Sequence, residues 1–387
     1  MKHEELLHRC FRCGWCKLPV NFMDINCPSY LKYRFETYSP GGRLWLLRAW
    51  LTGDLDASDR FKEVLFSCAT CKNCVEACGI PGIKDHLVDM IIAAREEIVN
   101  TGKLPPSIRN YLTEIYNRGN PFKKPQSERG DWAKGLDVPV YNGQEYLFYA
   151  GDVGSFDESG IKMTRAVASL FLNAGISFGI LGENETSDGN DVNALGEKAL
   201  SEHLAVNNID QFTKRGIARI ITLSPHAFNA MKNAYPLLGG KFEVYHYTQM
   251  LNKIIKDKLP LGSFKARVTY HDPCYLGRWN GVYLEPRNIL QSVPGLDYME
   301  MGRNMNSALC CGGGGGNYFS DMLGSGQDSS ARRRVREAEE YGAEVVAVAC
   351  PICKKMLEDA VKDEGLENQM RVMDVAQIVI EAKRKQA

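Results

Sequence analysis

The thirteen cysteines of this chain are grouped, and that grouping limits the fold more than any other feature. Eight lie near the N-terminus: Cys10, Cys13, Cys16 and Cys27, then Cys68, Cys71, Cys74 and Cys78. Five lie in the last third: Cys274, the adjacent Cys310 and Cys311, and Cys350 with Cys353. None falls between Cys78 and Cys274. Thiols placed this way are ligands, and their spacing is that of iron–sulfur sites.

Composition agrees. The 387 residues are enough for two or three cored domains, and 44% are hydrophobic, as in ordinary globular chains. Lys plus Arg equals Asp plus Glu at 47 each, so no net field points to nucleic acid or an anionic membrane. The opening Met1–Glu5 reads as a polar helix without a secretory signal. No apolar run reaches the roughly 18 residues of a membrane span. The expectation is a cytoplasmic chain without a transmembrane segment, whose reduced thiols bind metal and do not pair as disulfides.

Cys10-Phe-Arg-Cys13-Gly-Trp-Cys16 is C-x2-C-x2-C, and Cys68 to Cys78 is C-x2-C-x2-C-x3-C. Three cysteines at this spacing wrap one cluster, and the fourth ligand comes from further away. In two-cluster ferredoxins the last cysteine of each run serves the other cluster. That rule gives one [4Fe–4S] cubane to Cys10, Cys13, Cys16 and Cys78, and a second to Cys68, Cys71, Cys74 and Cys27. Zinc prefers two separated C-x2-C pairs and fits these triplets poorly. Between them, Ser39-Pro-Gly-Gly42 reads as a turn and Arg43–Leu51 as an amphipathic helix, with Trp45 and Trp50 expected in the core. A long helical insert indicates an all-helical ferredoxin module over residues 1–102.

Residues 103–142, rich in Pro, Gly, Lys and Asn, read as a partly ordered connector. Beyond it, short β-branched runs alternate with helices, the pattern of a parallel α/β sheet. The plan occurs twice, over 143–260 and 261–387. Ser224-Pro-His-Ala227 overlays Cys350-Pro-Ile-Cys353 at an offset of 126, and Asp152 precedes Cys274 by 122. Glu185–Gly189 stands opposite Cys310 and Cys311. The first copy is thus a version of the second stripped of cysteines. The expected fold class is α+β multidomain: a helical two-cluster module, then two tandem α/β repeats. Cys350 and Cys353 fall where a strand ends and a helix begins, a usual ligand position in such sheets. Gly312–Gly316 would let backbone approach a cluster, and no Gly-Lys-Ser/Thr follows to make a phosphate loop.

Cys274, Cys310-Cys311-Gly312 and Cys350-Pro-Ile-Cys353, with His271-Asp-Pro-Cys-Tyr-Leu-Gly-Arg278, resemble the CCG signature of heterodisulfide reductase catalytic subunits. With the two N-terminal runs and the tandem repeats, nearly the whole chain resembles the fused, D-type form of those subunits. The resemblance implies that Cys274, Cys310, Cys311, Cys350 and Cys353 bind a third [4Fe–4S] cluster, of the noncubane kind held by five thiolates. It also implies that disulfide cleavage uses two such sites, one per repeat, and here the first repeat has no cysteine. The expectation is therefore an electron-transfer subunit of a multi-subunit oxidoreductase of anaerobic metabolism, not itself catalytic.

The resemblance offers two contexts. One is the class II benzoyl-coenzyme A reductase complex, with a flavin-containing heterodisulfide reductase A-like subunit and a catalytic subunit as partners. The other is a relay between a flavoprotein and a quinone or ferredoxin. A disulfide reductase working at the C-terminal site alone is the rival enzyme reading, and a docking scaffold is a third. No Gly-x-Gly-x-x-Gly lies between a strand and a helix, so no flavin or NAD site is expected in this chain. His226, His246 and His271 read as satisfied loop residues, and Arg332–Arg336 as a solvated helix face.

Overall fold

The computed structural model describes residues 1–384. The N-terminal third is helical around the long helix Ile83–Asn100. Leu44, Leu47, Phe61, Leu65, Leu87 and Ile91 bury against one another there, with Ile108 and Ile115 added from the helix Pro106–Arg118. So part of the stretch expected as a connector belongs to this core. Ser39-Pro40-Gly41-Gly42 is not a free turn but the start of the helix Pro40–Leu51. Ser39 caps it by accepting from the Gly42 N–H at 3.0 Å, and Pro40 takes the first turn, where no donor is needed. A side chain at Gly42 would strike the Glu36 carbonyl at 1.7 Å. Trp45 and Trp50 are half-buried, and the Trp45 indole donates to the Cys10 carbonyl at 2.8 Å.

Two four-stranded parallel sheets follow. The first runs β1 (Tyr146–Tyr149), β2 (Phe178–Gly179), β3 (Arg219–Thr222) and β4 (Glu243–His246), ordered β2-β1-β3-β4. The second runs β5 (Ala266–Tyr270), β6 (Leu296–Met299), β7 (Val345–Val348) and β8 (Arg371–Asp374), ordered β6-β5-β7-β8. The duplication extends to the register. Offsets of 122 and 126 turn the pair Leu147–Ile220 into Thr269–Val346, an observed pair. Ile220–Val244 corresponds to Val346–Val372 at offsets of 126 and 128.

One apolar core joins the two sheets, taking Phe148 and Ile221 from the first and Val268 and Tyr270 from the second. The Tyr247 hydroxyl crosses to Asp374 at 2.5 Å. In each sheet the central strands diverge to opposite sides, which leaves a crevice at their carboxyl ends where α/β sheets hold ligands. The arginine run Arg332–Arg336 departs from its expected solvated role. Arg334 is fully buried, donating to the Arg303 carbonyl at 2.7 Å and pairing with Glu337 at 2.9 Å. Arg332 and Arg336 both hold Glu364. Among the described residues no helix is long and apolar enough to cross a membrane.

Candidate metal centres

All thirteen thiols are free, and only Cys13 is exposed. The two N-terminal triplets share one backbone shape. Arg12 and Gly14 have positive φ (57° and 86°), and so have Thr70 and Lys72 at the same places in the second triplet (47° and 61°). Three of these are not glycine, so the left-handed turns are strained and need surrounding support. Such turns curl each triplet so that its thiols converge.

Cys10 and Cys16 converge over Gly41, whose missing Cβ would lie 3.7 Å from both sulfurs. Burial pushes the Cys16 thiol up to about 12, with Cys27, Cys10 and Cys13 adding to the effect. Cys78 is raised by burial first, then by Cys13 and Cys10. Cys27, Cys68, Cys71 and Cys74 line one small cavity with Arg43, and Cys16 of the first triplet reaches it as well. Arg43 is fully buried, donates to the Tyr38 carbonyl at 2.6 Å and to Ser29 and Ser67, and opposes the burial that raises Cys27. Cys74 is held well above its ordinary value by burial, then by Cys68 and Cys71. Dry thiols that suppress one another's ionisation become ligands once a cation compensates their charge.

The C-terminal five are all buried at the carboxyl ends of β5 and β7. Cys310 and Cys274 sulfurs lie 3.7 Å apart, and Cys311 and Cys353 sulfurs 3.4 Å apart. Cys350 directly precedes the helix Pro351–Asp363, and Cys353 lies in its first turn, where the helix dipole favours thiolate. The neighbouring thiols of Cys310 and Cys353 hold Cys311 well below its ordinary pKa, against the effect of burial. Two further side chains turn toward these sulfurs. His271 is fully buried, neither ring nitrogen has a well-formed hydrogen bond, and the ring lies within 4.8 Å of the Cys311 and Cys353 sulfurs. Arg278 is buried with one guanidinium nitrogen, Nη2, unpartnered. Orphaned buried donors beside a nest of thiols fit an anionic iron–sulfur group, whose sulfurs accept hydrogen bonds.

The glycine run does something the sequence alone did not suggest. A Cβ on Gly314 would meet the Ala69 carbonyl at 2.7 Å, and one on Gly315 the Cys68 carbonyl at 2.6 Å. The run thus seats the second triplet directly on the C-terminal site, while a Cβ on Gly313 would lie 3.7 Å from the Cys311 sulfur. Thr70 bonds Tyr275 at 2.8 Å, the Trp279 indole donates to the Thr70 carbonyl at 2.9 Å, and Lys72 lies 3.5 Å over the Trp279 ring. Arg95 ties the Cys68 carbonyl at 2.7 Å to the Ala194 carbonyl of the first repeat. Cys71 faces Cys310, whose thiol is the first cause, ahead of burial, that raises Cys71 well above its ordinary value.

In the first repeat the corresponding crevice is filled by charge. Asp152, in the place of Cys274, pairs with Arg129 at 2.8 Å. Glu185 also meets Arg129 and accepts the Ala150 and Gly151 N–H groups at 3.0 and 2.8 Å. His226, two residues past Ser224, pairs with Asp191 at 3.0 Å. Burial opposes its charge, yet Asp191 holds its pKa up at about 9. His226 is therefore an ion-paired core residue and not a loop histidine. His246, fully buried between Thr248 and the Leu223 carbonyl, is the satisfied residue expected. Arg129, in the expected connector, carried no sequence signal. Arg278 stood within the CCG wording without a role.

Comparisons with known proteins agree with this geometry. A 4Fe-4S dicluster domain matches residues 6–80, and the cysteine-rich CCG domain matches residues 268–358. The chain is 36% identical to the probable iron-sulfur-binding oxidoreductase FadF of Bacillus subtilis, over 83% of this chain and 47% of that protein. It is 32% identical to the EtfAB:quinone oxidoreductase of Syntrophomonas wolfei, over 83% and 46%. It is 30% identical to the D-type subunit of the dihydromethanophenazine:CoB–CoM heterodisulfide reductase of Methanosarcina mazei, over 84% and 79%. The chain spans about half the length of the first two relatives and most of the third.

Proposed function

This chain belongs to the D-type heterodisulfide reductase family of CCG-domain iron–sulfur proteins, and we propose that it is an electron-transfer subunit with three centres in series. Cys10, Cys13, Cys16 and Cys78 would hold the outer cubane, and Cys27, Cys68, Cys71 and Cys74 the inner one. Cys274, Cys310, Cys311, Cys350 and Cys353 would hold the C-terminal [4Fe–4S] group, noncubane as in the family. Bound there, such groups pass single electrons at potentials set by hydrogen bonds, charge and burial, within roughly −700 to +450 mV.

The observation that carries the reading is the close seat of the second triplet on the C-terminal set: Cys71 shares one buried cluster with Cys274 and Cys310, and a Cβ on Gly315 would strike the Cys68 carbonyl at 2.6 Å. That seat supports an inner set next to the C-terminal set, and the exposure of Cys13 supports an outer set nearer the surface. Phe11, Trp15 and Phe22 around Cys13 are exposed as well, a surface suited to a partner subunit at that end. One relative's name supplies a first partner candidate, an electron-transferring flavoprotein with quinone as acceptor. The family resemblance adds a second, a flavin-containing heterodisulfide reductase A-like subunit. A class II benzoyl-coenzyme A reductase complex is one assembly that the family resemblance offers for such a chain.

Two-site disulfide cleavage, as the family resemblance implies it, needs a second thiolate site opposite the first. The crevice that would hold it is occupied by the Arg129–Asp152–Glu185 network. A disulfide reductase working at the C-terminal site alone remains the rival reading. The test is anaerobic turnover of the purified chain with a strong one-electron donor and a disulfide. We expect uptake of about one electron per centre and no sustained disulfide consumption. Steady turnover would establish the enzyme reading instead.

A further inference from the structure

Arg278 stands between the two adjoining cysteine sets. Its Nε donates to the Cys71 carbonyl at 2.6 Å, on the N-terminal module. Its Nη1 donates to the Ala308 carbonyl at 2.7 Å, just before Cys310, and to the Asn306 carbonyl at 3.3 Å. Nη2 has no partner and is buried. Burial opposes the charge, but the sulfurs of Cys71, Cys274 and Cys310 stabilise it, and these belong to both sets. No carboxylate pairs with Arg278 among the described ion pairs, so its charge is left for the sulfurs.

Resting on the three-centre reading, we infer that Arg278 is a positioning residue shared by the inner and C-terminal centres, whose single cation raises both potentials and screens each from the other's added electron. An electron arriving at either site adds one negative charge. In a dry site a fixed cation a few ångströms away favours the charged, reduced form. The fork geometry matters too. Arginine is always protonated and its planar donors are preset, so the charge cannot be lost when one centre is oxidised. His271, by contrast, reaches only Cys311 and Cys353 and can influence the C-terminal centre alone.

The experiment is a potentiometric titration of the intact chain by EPR, comparing native protein with R278Q and R278K, each assayed for iron. In R278Q we expect reduction of both the inner and C-terminal centres to be disfavoured at least tenfold, or 59 mV for a one-electron couple. The outer, Cys10-containing centre should keep its potential. R278K, which retains the charge without the fork, should recover most of the shift. A fully loaded R278Q with unmoved potentials overturns the inference, as does a displacement common to all three centres or equal in the Gln and Lys variants. If R278Q fails to take up iron, R278K must restore loading, and a Lys variant equally empty overturns it as well. A native chain with fewer than three centres would instead be a failure of the three-centre reading.

Discussion

Asp152 stands in the first sheet where Cys274 stands in the second, and the Arg129 guanidinium binds it at 2.8 Å. The duplication has kept its crevice and exchanged its contents. Where thiols would leave a cation to be supplied from outside, the stretch before the first repeat supplies one in Arg129. Removing Arg129 leaves Asp152 and Glu185 buried without their counter-charge. Breaking a buried pair in this way costs about 3–5 kcal/mol. We expect R129M to lower stability by that order in urea unfolding, whereas R129M combined with D152N and E185Q should recover a large part of it.

Gly315 has φ of 64°, and a Cβ there would sit 2.6 Å from the Cys68 carbonyl. Neither the backbone nor its neighbour can yield cheaply. G315A should cost about 1–3 kcal/mol from the strained conformation alone, with the clash added. It should also push the second triplet away from the C-terminal site. Iron content should fall at the inner and C-terminal centres together, while the outer centre keeps its EPR signal.

His271 reaches only the C-terminal sulfurs. Hydrogen bonds to charged acceptors are among the strong ones, at about 1.5–3 kcal/mol. H271A should therefore lower the potential of the C-terminal centre alone, by about tenfold in its reduction equilibrium, or ~59 mV. H271Q, which keeps a donor, should recover part of it. Potentiometric EPR reads both.

Asp374 is fully buried, and burial raises its carboxyl to about 7, against the hydrogen bond from Tyr247 that lowers it. A folded pKa above the unfolded value of about 3.9 means that the folded chain holds the extra proton. The stability this contributes is full below about pH 4 and is lost as pH rises toward 7. D374N should remove that part of the pH dependence. The stability of the native chain relative to D374N should thus fall as pH rises through this window in urea unfolding, and parallel curves would contradict the assignment.

Cys13 is the one exposed thiol of the thirteen. Oxidation follows access, so the outer centre should be the first lost in air. Its EPR signal should decay before those of the inner and C-terminal centres, and simultaneous decay would argue against the placement.

Much of this molecule could be read from the residues in order. The grouping of the cysteines, the helical module and the repeat offsets of 122 and 126 all reappear, the last as matched strand pairs. The edge strands β4, β6 and β8 gave little signal, because their half-exposed residues lack a sustained apolar run. Arg129, Arg278 and Arg334 escaped for a different reason. Each is buried by partners tens or hundreds of residues away, and local pattern marks arginine as a surface residue. The glycine run showed that backbone must come close to something, though not that the something was Cys68 and Ala69.

The most direct measurement is the iron and acid-labile sulfide content of anaerobically purified chain, taken with its EPR spectrum on reduction. Three centres predict about twelve irons per chain and three reducible signals. About eight irons would leave the C-terminal cysteines without a centre, and a colourless protein carrying zinc would contradict the proposal altogether.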